Sequence, residues 1–348
     1  MNDRTVLVTG GAGYVGSHCC KALAEAGWRV VVFDNLSRGW LDFVKWGDLI
    51  EGDICDEERI RWAMAETRPD AVVHCAALAY VGESVIEPEQ YYRVNTTGTL
   101  NVLRAMTATG VDRFLLSSTC ATYGTPATLP VDENQPQRPI NPYGWSKLFV
   151  EQMLKDFGTA NGMKSIALRY FNAAGADPDF RIGERHDPET HLVPLAIRGA
   201  SETDYELTVF GDDFDTRDGS CLRDYVHVCD LADAHRLALE HLDQVEGFEA
   251  FNLGTGTGTT VFEVADAVER VTGNRVRTRV GPRRSGDPGA LVASAAKARA
   301  VLGWSPDRSG IDNIILDAWR WHRNDVGHNQ VRTGSSIDPG ARPTVQVP

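Results

Sequence analysis

The chain has 348 residues, 42% apolar and 24% charged, and its 35 Lys and Arg against 48 Asp and Glu leave a formal net charge of −13. That length fits about two domains with a sizeable core, and the charge disfavours a protein that tracks nucleic-acid phosphates or rests on an anionic membrane. An anionic ligand must therefore be held by a few local arginines and by backbone amides.

From the N-terminus, Met1-Asn2-Asp3-Arg4 leads straight into a strand-like run over Thr5 to Thr9. No basic segment followed by an apolar stretch precedes it, so no secretory leader is visible and a cytoplasmic protein is expected. Short apolar runs over Arg29 to Asp34, Ala71 to Ala76, Arg113 to Ser118 and Ser165 to Tyr170 predict strands covered on both faces. The longest nearly apolar run, Ala71 to Val81, is about half a membrane span and carries His74, so no membrane crossing is expected. Helical spacing predicts helices near Val15 to Ala26, Glu57 to Thr67, Tyr91 to Thr109 and Tyr143 to Asn161. This alternation predicts an α/β fold with a Rossmann-type doubly wound parallel sheet over residues 1–172.

After Asn172 the rhythm breaks. Residues 173–190 are rich in Asp, Gly, Glu and Pro, and the chain beyond them mixes short strands (Leu207 to Phe210, Ala250 to Leu253, Arg275 to Val280) with helices. Clear helical spacing is expected to resume only from about Asp230. Residues 173–330 are read as a smaller α+β substrate portion, with some chain crossing back to the first domain. Residues 331–348 have too few apolar groups to pack and are expected to be disordered. The seven cysteines (19, 20, 55, 75, 120, 221 and 229) show no Cys-x-x-Cys spacing, against a disulfide framework or a zinc ribbon.

The first strand runs into Gly10-Gly11-Ala12-Gly13-Tyr14-Val15-Gly16, where Gly10, Gly13 and Gly16 sit three apart as a helix begins. Missing side chains let the chain turn tightly, let a pyrophosphate approach the backbone, and let the helix pack on the strand. Alone this pattern also fits a βα turn with no ligand. A P-loop is excluded, because Ser17-His18 follow Gly16 where Lys-Ser/Thr would stand. The second strand ends in Asp34-Asn35, and an acid about 20 residues after the glycines is placed to accept from a ribose 2′-hydroxyl. NAD is favoured over NADP, whose 2′-phosphate would meet that carboxylate. Asp53, after a third strand, is either an adenine contact or an ordinary loop acid.

Tyr143-Gly144-Trp145-Ser146-Lys147 puts a tyrosine and a lysine on one helical face. Such a pair also arises by chance, as a solvated Lys beside a half-buried Tyr. Ser117-Ser118-Thr119, however, ends a strand, where doubly wound sheets bind ligands. Free tyrosine titrates near ~10, so service as a base near pH 7 requires a fall of about three units. Lys147 and an oxidised nicotinamide both favour the phenolate.

The set GGAGYVG, DNLS, EGDI, HCAALAYVGES, NTTGT, SSTCATYG, INPYGWSK, RYFNAAGADP, DPETHLVP, RDYVHV and PRRSGDP resembles the extended short-chain dehydrogenase/reductases, and among them the UDP-glucose 4-epimerase family, over about residues 4 to 325. The resemblance implies epimerisation at C4 of a UDP-hexose through a 4-keto sugar, with NAD as cofactor and a homodimer through the helices near 91–110 and 143–161. It makes Tyr143 the base, Thr119 its hydroxyl partner, and Lys147 the group that orients the ribose and lowers the Tyr143 pKa. Beside NAD it places Tyr14, Val15, Asn35, Ile54, Cys75, Ala76, Ala77, Asn95 and Tyr170, along with the glycines, Asp34 and Asp53. Beside the uridine diphosphate sugar it places Asn172, Leu192, Arg223, Arg284, Asp287 and Leu291. Arg223 also reads as a salt-bridge partner for Asp224, Arg284 as a solvated loop charge, and Leu291 as a core aliphatic. One departure is Ala79, where many relatives carry a lysine near the cofactor. His186 and His191, with Asp187 and Glu189 between them, lie on a loop with Pro188 and are read as shaping the nucleotide pocket, with no metal expected.

Other functions stay open on the residues. A UDP-xylose/UDP-arabinose 4-epimerase shares AYVGES and STCATYG. A nucleotide-sugar 4,6-dehydratase would need an acid just after Thr119, where Cys120 and Ala121 stand. A non-catalytic NAD sensor would have no use for Thr119, Tyr143 and Lys147 together.

Overall fold

The computed structural model describes residues 4–284 and 288–333. β1 (Thr5–Thr9), β2 (Arg29–Asp34), β3 (Asp48–Glu51), β4 (Ala71–His74), β5 (Arg113–Thr119) and β6 (Lys164–Tyr170) form the main sheet with a seventh strand, Phe248–Leu253. Across the sheet the order is Phe248–Leu253, β6, β5, β4, β1, β2, β3, and every pairing is parallel. The chain reverses its direction of travel between β1 and β4, and such a switch point opens a crevice at the carboxyl ends of the strands. This is the doubly wound α/β sheet expected from the sequence.

Alternate strand residues serve opposite faces. Val6, Val8, Val30 and Val32 pack with Leu23 of α1 (Tyr14–Glu25) and Leu231 of the Val228–His241 helix. Leu7, Val31 and Phe33 turn the other way, toward Ile60 of α2 (Glu57–Thr67) and Val102. With both faces covered, β1 reads as a continuous apolar run.

Leu192–Ser201, Val261–Thr272 and Ile311–Thr333 are helices that bury Val193, Ile197, Val264, Val268, Ile314 and Ile315 in a separate core. Leu192–Ser201 corrects the expectation that helical spacing resumes only near Asp230. Pro194 and Gly199 read as breakers, yet Pro194 falls in the first helical turn, where a missing N–H costs nothing. The helix expected over Tyr91 to Thr109 is also interrupted, because Tyr92–Gly98 is a wider π-turn of the kind found at functional sites. Residues 331–333 end the long Ile311–Thr333 helix and so depart from the disorder expected of 331–348; helix propagates readily beyond the turns that Ile314, Ile315 and Trp321 bury. The remaining residues of that stretch, 334–348, lie outside the described residues. Among the described residues no helix is long and apolar enough to cross a membrane.

Candidate active site

Gly10 adopts φ +73°, and a Cβ there would lie 2.4 Å from the Ala76 nitrogen. A Cβ at Gly16 would lie 2.1 Å from the Gly10 carbonyl oxygen. Only glycine permits this close crossing of strand and helix. Gly13 then stands at the start of α1 with no side-chain cap, so the first N–H groups of the helix remain available to phosphate oxygens. The Asp34 carboxylate, 8% exposed, accepts from Ala12 N at 3.0 Å and Leu36 N at 2.8 Å. Burial pushes its pKa up, and those two bonds oppose the rise. Asn35 donates to Asp53 at 3.1 Å, and Asp53 accepts from Cys55 N at 2.8 Å. Burial raises Asp53, but the bonds from Cys55 and Asn35 more than offset it and its pKa is lowered.

The Pro142–Asn161 helix begins where Asn141 accepts from Gly144 N at 2.8 Å and Pro142 occupies its first turn, a start that needs no partner for the proline. Its register puts Tyr143 and Lys147 on the face toward β5, both buried. Tyr143 hydrogen-bonds Thr119, which lowers its pKa, but burial dominates and pushes it up to about 12. Lys147 Nζ donates to Ser117 O at 2.9 Å, and burial pulls its pKa down to about 8. Within the protein the Lys147 ammonium is turned to a strand carbonyl, and Thr119 is the group that lowers the Tyr143 pKa.

Glycine turn, Asp34, Thr119 and Tyr143 line one cavity of about 450 Å³. Of the other expected cofactor contacts, Tyr14, Val15, Asn35, Asp53, Ile54, Cys75, Ala76, Ala77 and Tyr170 line it as well. Asn95 does not. It sits in the π-turn, accepts from Leu78 N at 2.8 Å and donates to Leu78 O and Ser146 Oγ at 3.0 Å, so it anchors the loop after β4 that forms the cavity wall. Lys147 likewise lies behind the lining.

Residues 6–254 match the model of the NAD dependent epimerase/dehydratase family. The chain belongs to that family. It is 52% identical over 331 residues to a UDP-glucose 4-epimerase of Rhizobium meliloti, covering 94% of this chain and all of that one. The crystal structure of UDP-glucose 4-epimerase from Brucella ovis in complex with NAD superposes with a TM-score of 0.88 at 50% identity, covering 91% of this chain and 98% of that chain. A UDP-glucose 4-epimerase from Thermotoga maritima, solved with UDP-glucose, matches with a TM-score of 0.80 at 34% identity over 92% of this chain and 99% of that one.

On the substrate side of this family member, Asn172, Arg223 and Leu291 line the same cavity. Leu291 also packs against the buried group of Cys120, Tyr123, Val131, Phe171 and Ala293, so it faces both the cavity and a small core. Leu192 does not line the cavity and packs instead with the second core. Arg284 stands over the Phe210 ring at 3.9 Å and is also absent from the lining. Asp287 lies outside the described residues. His186 and His191 line the cavity, as expected of residues that shape the nucleotide pocket, and Arg38, Tyr80 and Glu184 line it without having been assigned to it from the motifs. Arg38 pairs with Glu83 at 2.6 Å and is three residues past Asn35, the only signal that could have found it.

Behind Tyr143 a buried network holds the helix in place. Glu151 Oε2 receives Arg169 NH2 at 2.7 Å, and its Oε1 receives Ser118 Oγ at 2.7 Å. Arg169 NH1 donates to Tyr123 OH at 2.7 Å, which donates to Asn252 at 2.8 Å. The network thus ties the Pro142–Asn161 helix to β5, β6 and the seventh strand.

Proposed function

We propose that the chain epimerises C4 of a UDP-hexose, interconverting UDP-glucose and UDP-galactose through a 4-keto sugar with NAD as its cofactor. The observation that carries this is the meeting of Tyr143 and Thr119 with the glycine turn and Asp34 in one cavity. The glycines leave the room that a pyrophosphate needs, and Asp34 accepts from ribose hydroxyls. When bound, NAD supplies the hydride acceptor, a carrier that returns the hydride, and a positive charge beside the phenol. Tyr143 takes the proton of the 4-hydroxyl and later restores it on the opposite face of the sugar. Thr119 hydrogen-bonds that phenol, and Lys147 orients the ribose. Asn172, Arg223 and Leu291, which line the cavity, hold the uridine diphosphate sugar, and the family resemblance adds Leu192, Arg284 and Asp287 as its further contacts. Arg38 offers the cation that Ala79 omits. Residues 1–172, with the returning strand, hold the cofactor, and 173–330 serve the sugar nucleotide.

Exposed Tyr92, Phe149 and Trp145 stack in a row, with ring centroids 6.0 and 5.7 Å apart. Such a stripe on the helices near 91–110 and 143–161 supports a homodimer through that face. Seven free cysteines support a reducing, cytoplasmic setting.

The test uses pure protein with UDP-galactose and, separately, UDP-arabinopyranose, with no NAD added. Conversion of the hexose at the higher kcat/KM is expected, because a hydride that must return requires a cofactor that stays bound. Denatured protein should release NAD; recovery of NADP would overturn the role given to Asp34, and absence of conversion would overturn the function. Leu291→Ala should relax the preference for UDP-glucose over UDP-N-acetylglucosamine. Pocket misfits of one or two heavy atoms change kcat/KM by about 10–200-fold, so an unchanged ratio between the two sugars places Leu291 in the core alone.

A further inference from the structure

The loop between the Asn172–Ala174 strand and the Leu192–Ser201 helix carries four side chains that epimerisation leaves without a task. Glu184, His186, Glu189 and His191 each direct one donor atom to a common point, and these four atoms all lie within 4.8 Å of one another. Both imidazoles present Nδ1. His186 Nδ1 lies 3.4 Å from Glu184 Oε1 and 3.4 Å from Glu189 Oε2. His191 Nδ1 lies 3.1 Å from Glu184 Oε1 and 2.8 Å from Glu189 Oε1. Ligands bound at about 2.0–2.2 Å around a tetrahedral cation stand about 3.4 Å apart. The two His186 spacings and the His191 to Glu184 spacing are already close to that value, with Glu189 turning Oε2 to His186 and Oε1 to His191.

Protons alone leave this group incompletely paired. The Glu184 side chain is 5% exposed, yet its Oε2 has no hydrogen-bond partner, and neither does His186 Nδ1. Buried polar atoms are nearly always paired, so two orphans on one group of donors, with His186 Nδ1 set between both carboxylates, mark a missing ligand. The nearby arginines are engaged elsewhere: Arg185 with Asp42 and Asp325, and Arg38 with Glu83 and the Tyr80 ring. Two carboxylates without a guanidinium neutralise a dication. The Tyr14 and Tyr80 rings stand edge-on to His186, with centroids 6.1 and 5.8 Å away, and give the group a rigid wall.

We propose that Glu184, His186, Glu189 and His191 form a binding site for a divalent cation of the zinc type, which fixes the path of this loop where it lines the cofactor cavity. The donor set of two imidazoles and two carboxylates suits zinc and excludes a soft thiolate site. Sequence reading set these histidines aside because they fall on a loop around Pro188. It did not count Glu184, and a loop brings donors together without the spacing that a ligand helix requires. Asp187 is not part of the group of converging donor atoms. The site is independent of the epimerase reading, because binding is measured without turnover.

The experiment takes the NAD-bound protein, removes metal with a chelator, and titrates zinc chloride and then cobalt chloride. One equivalent of zinc per chain by elemental analysis is expected, with a tetrahedral cobalt spectrum lacking a thiolate charge-transfer band. Glu184→Gln and the more exposed Glu189→Gln should each weaken zinc binding by at least about tenfold while circular dichroism shows both folded. A thiolate band would assign the metal to Cys19, Cys75 and His235, the other grouping of donor atoms among the described residues, and overturn the proposal. Undiminished binding in folded Glu189→Gln, or less than about a tenth of an equivalent bound by the wild type, would also overturn it.

Discussion

Replacing Tyr143 with phenylalanine is expected to cut turnover by roughly 10²–10⁴-fold while leaving NAD content and UDP affinity nearly unchanged. The ring keeps its edge contact with Tyr91 at 6.4 Å and loses only the oxygen that exchanges a proton with the sugar. The Asn141 cap and Pro142 that start the helix are untouched, so the position of the ring holds. Rates of UDP-galactose conversion by the mutant, with NAD measured after denaturation, check this. Activity within about tenfold of wild type would remove Tyr143 from the reaction. A parallel loss of NAD would instead reveal a structural part for its hydroxyl.

The largest stability effect should come from Arg169→Met. Glu151 is wholly buried, and its carboxylate receives Arg169, Ser118 and Gln137. Removing one partner of such a buried pair leaves a charge in a low-dielectric interior and costs about 3–5 kcal/mol. Replacing both partners is far milder, so the double variant Glu151→Leu with Arg169→Met should be more stable than Arg169→Met alone. Thermal melts of the three proteins, each with bound NAD, decide the matter. A single mutant that melts with the wild type would show that the pair contributes little, and a double mutant worse than the single would show that Glu151 works through Ser118 and Gln137 instead.

What was legible in the sequence was local. β1, β2 and α2 occupy the residues that apolar spacing predicted, because a strand covered on both faces and a helix with one buried stripe each write their period into a few consecutive positions. The glycine turn and the Tyr143/Lys147 pair were visible for the same reason. What escaped depends on contacts between distant segments. Arg169 and Glu151 meet across a strand and a helix, and each alone reads as a surface charge. That Arg284 rests over the Phe210 ring was not visible in its motif either. Arg38, Tyr80 and Glu184 reach the cavity from loops, whose paths leave no periodic trace.

The seventh strand sets a timetable for assembly on the ribosome. Ser165 of β6 bonds to Gly247, 82 residues later, where the chain leads into the outer strand. At about 5–20 residues per second, translation leaves β6 without its neighbour for roughly 4–16 s after it emerges. During that interval β6, with Ile166, Ala167 and Leu168 on its two faces, presents an open edge of unpaired N–H and C=O groups, the kind of surface on which nascent chains stick to one another. A fragment ending at residue 172 keeps that edge permanently exposed, so it should aggregate where the full chain does not, although it contains every residue of the dinucleotide turn.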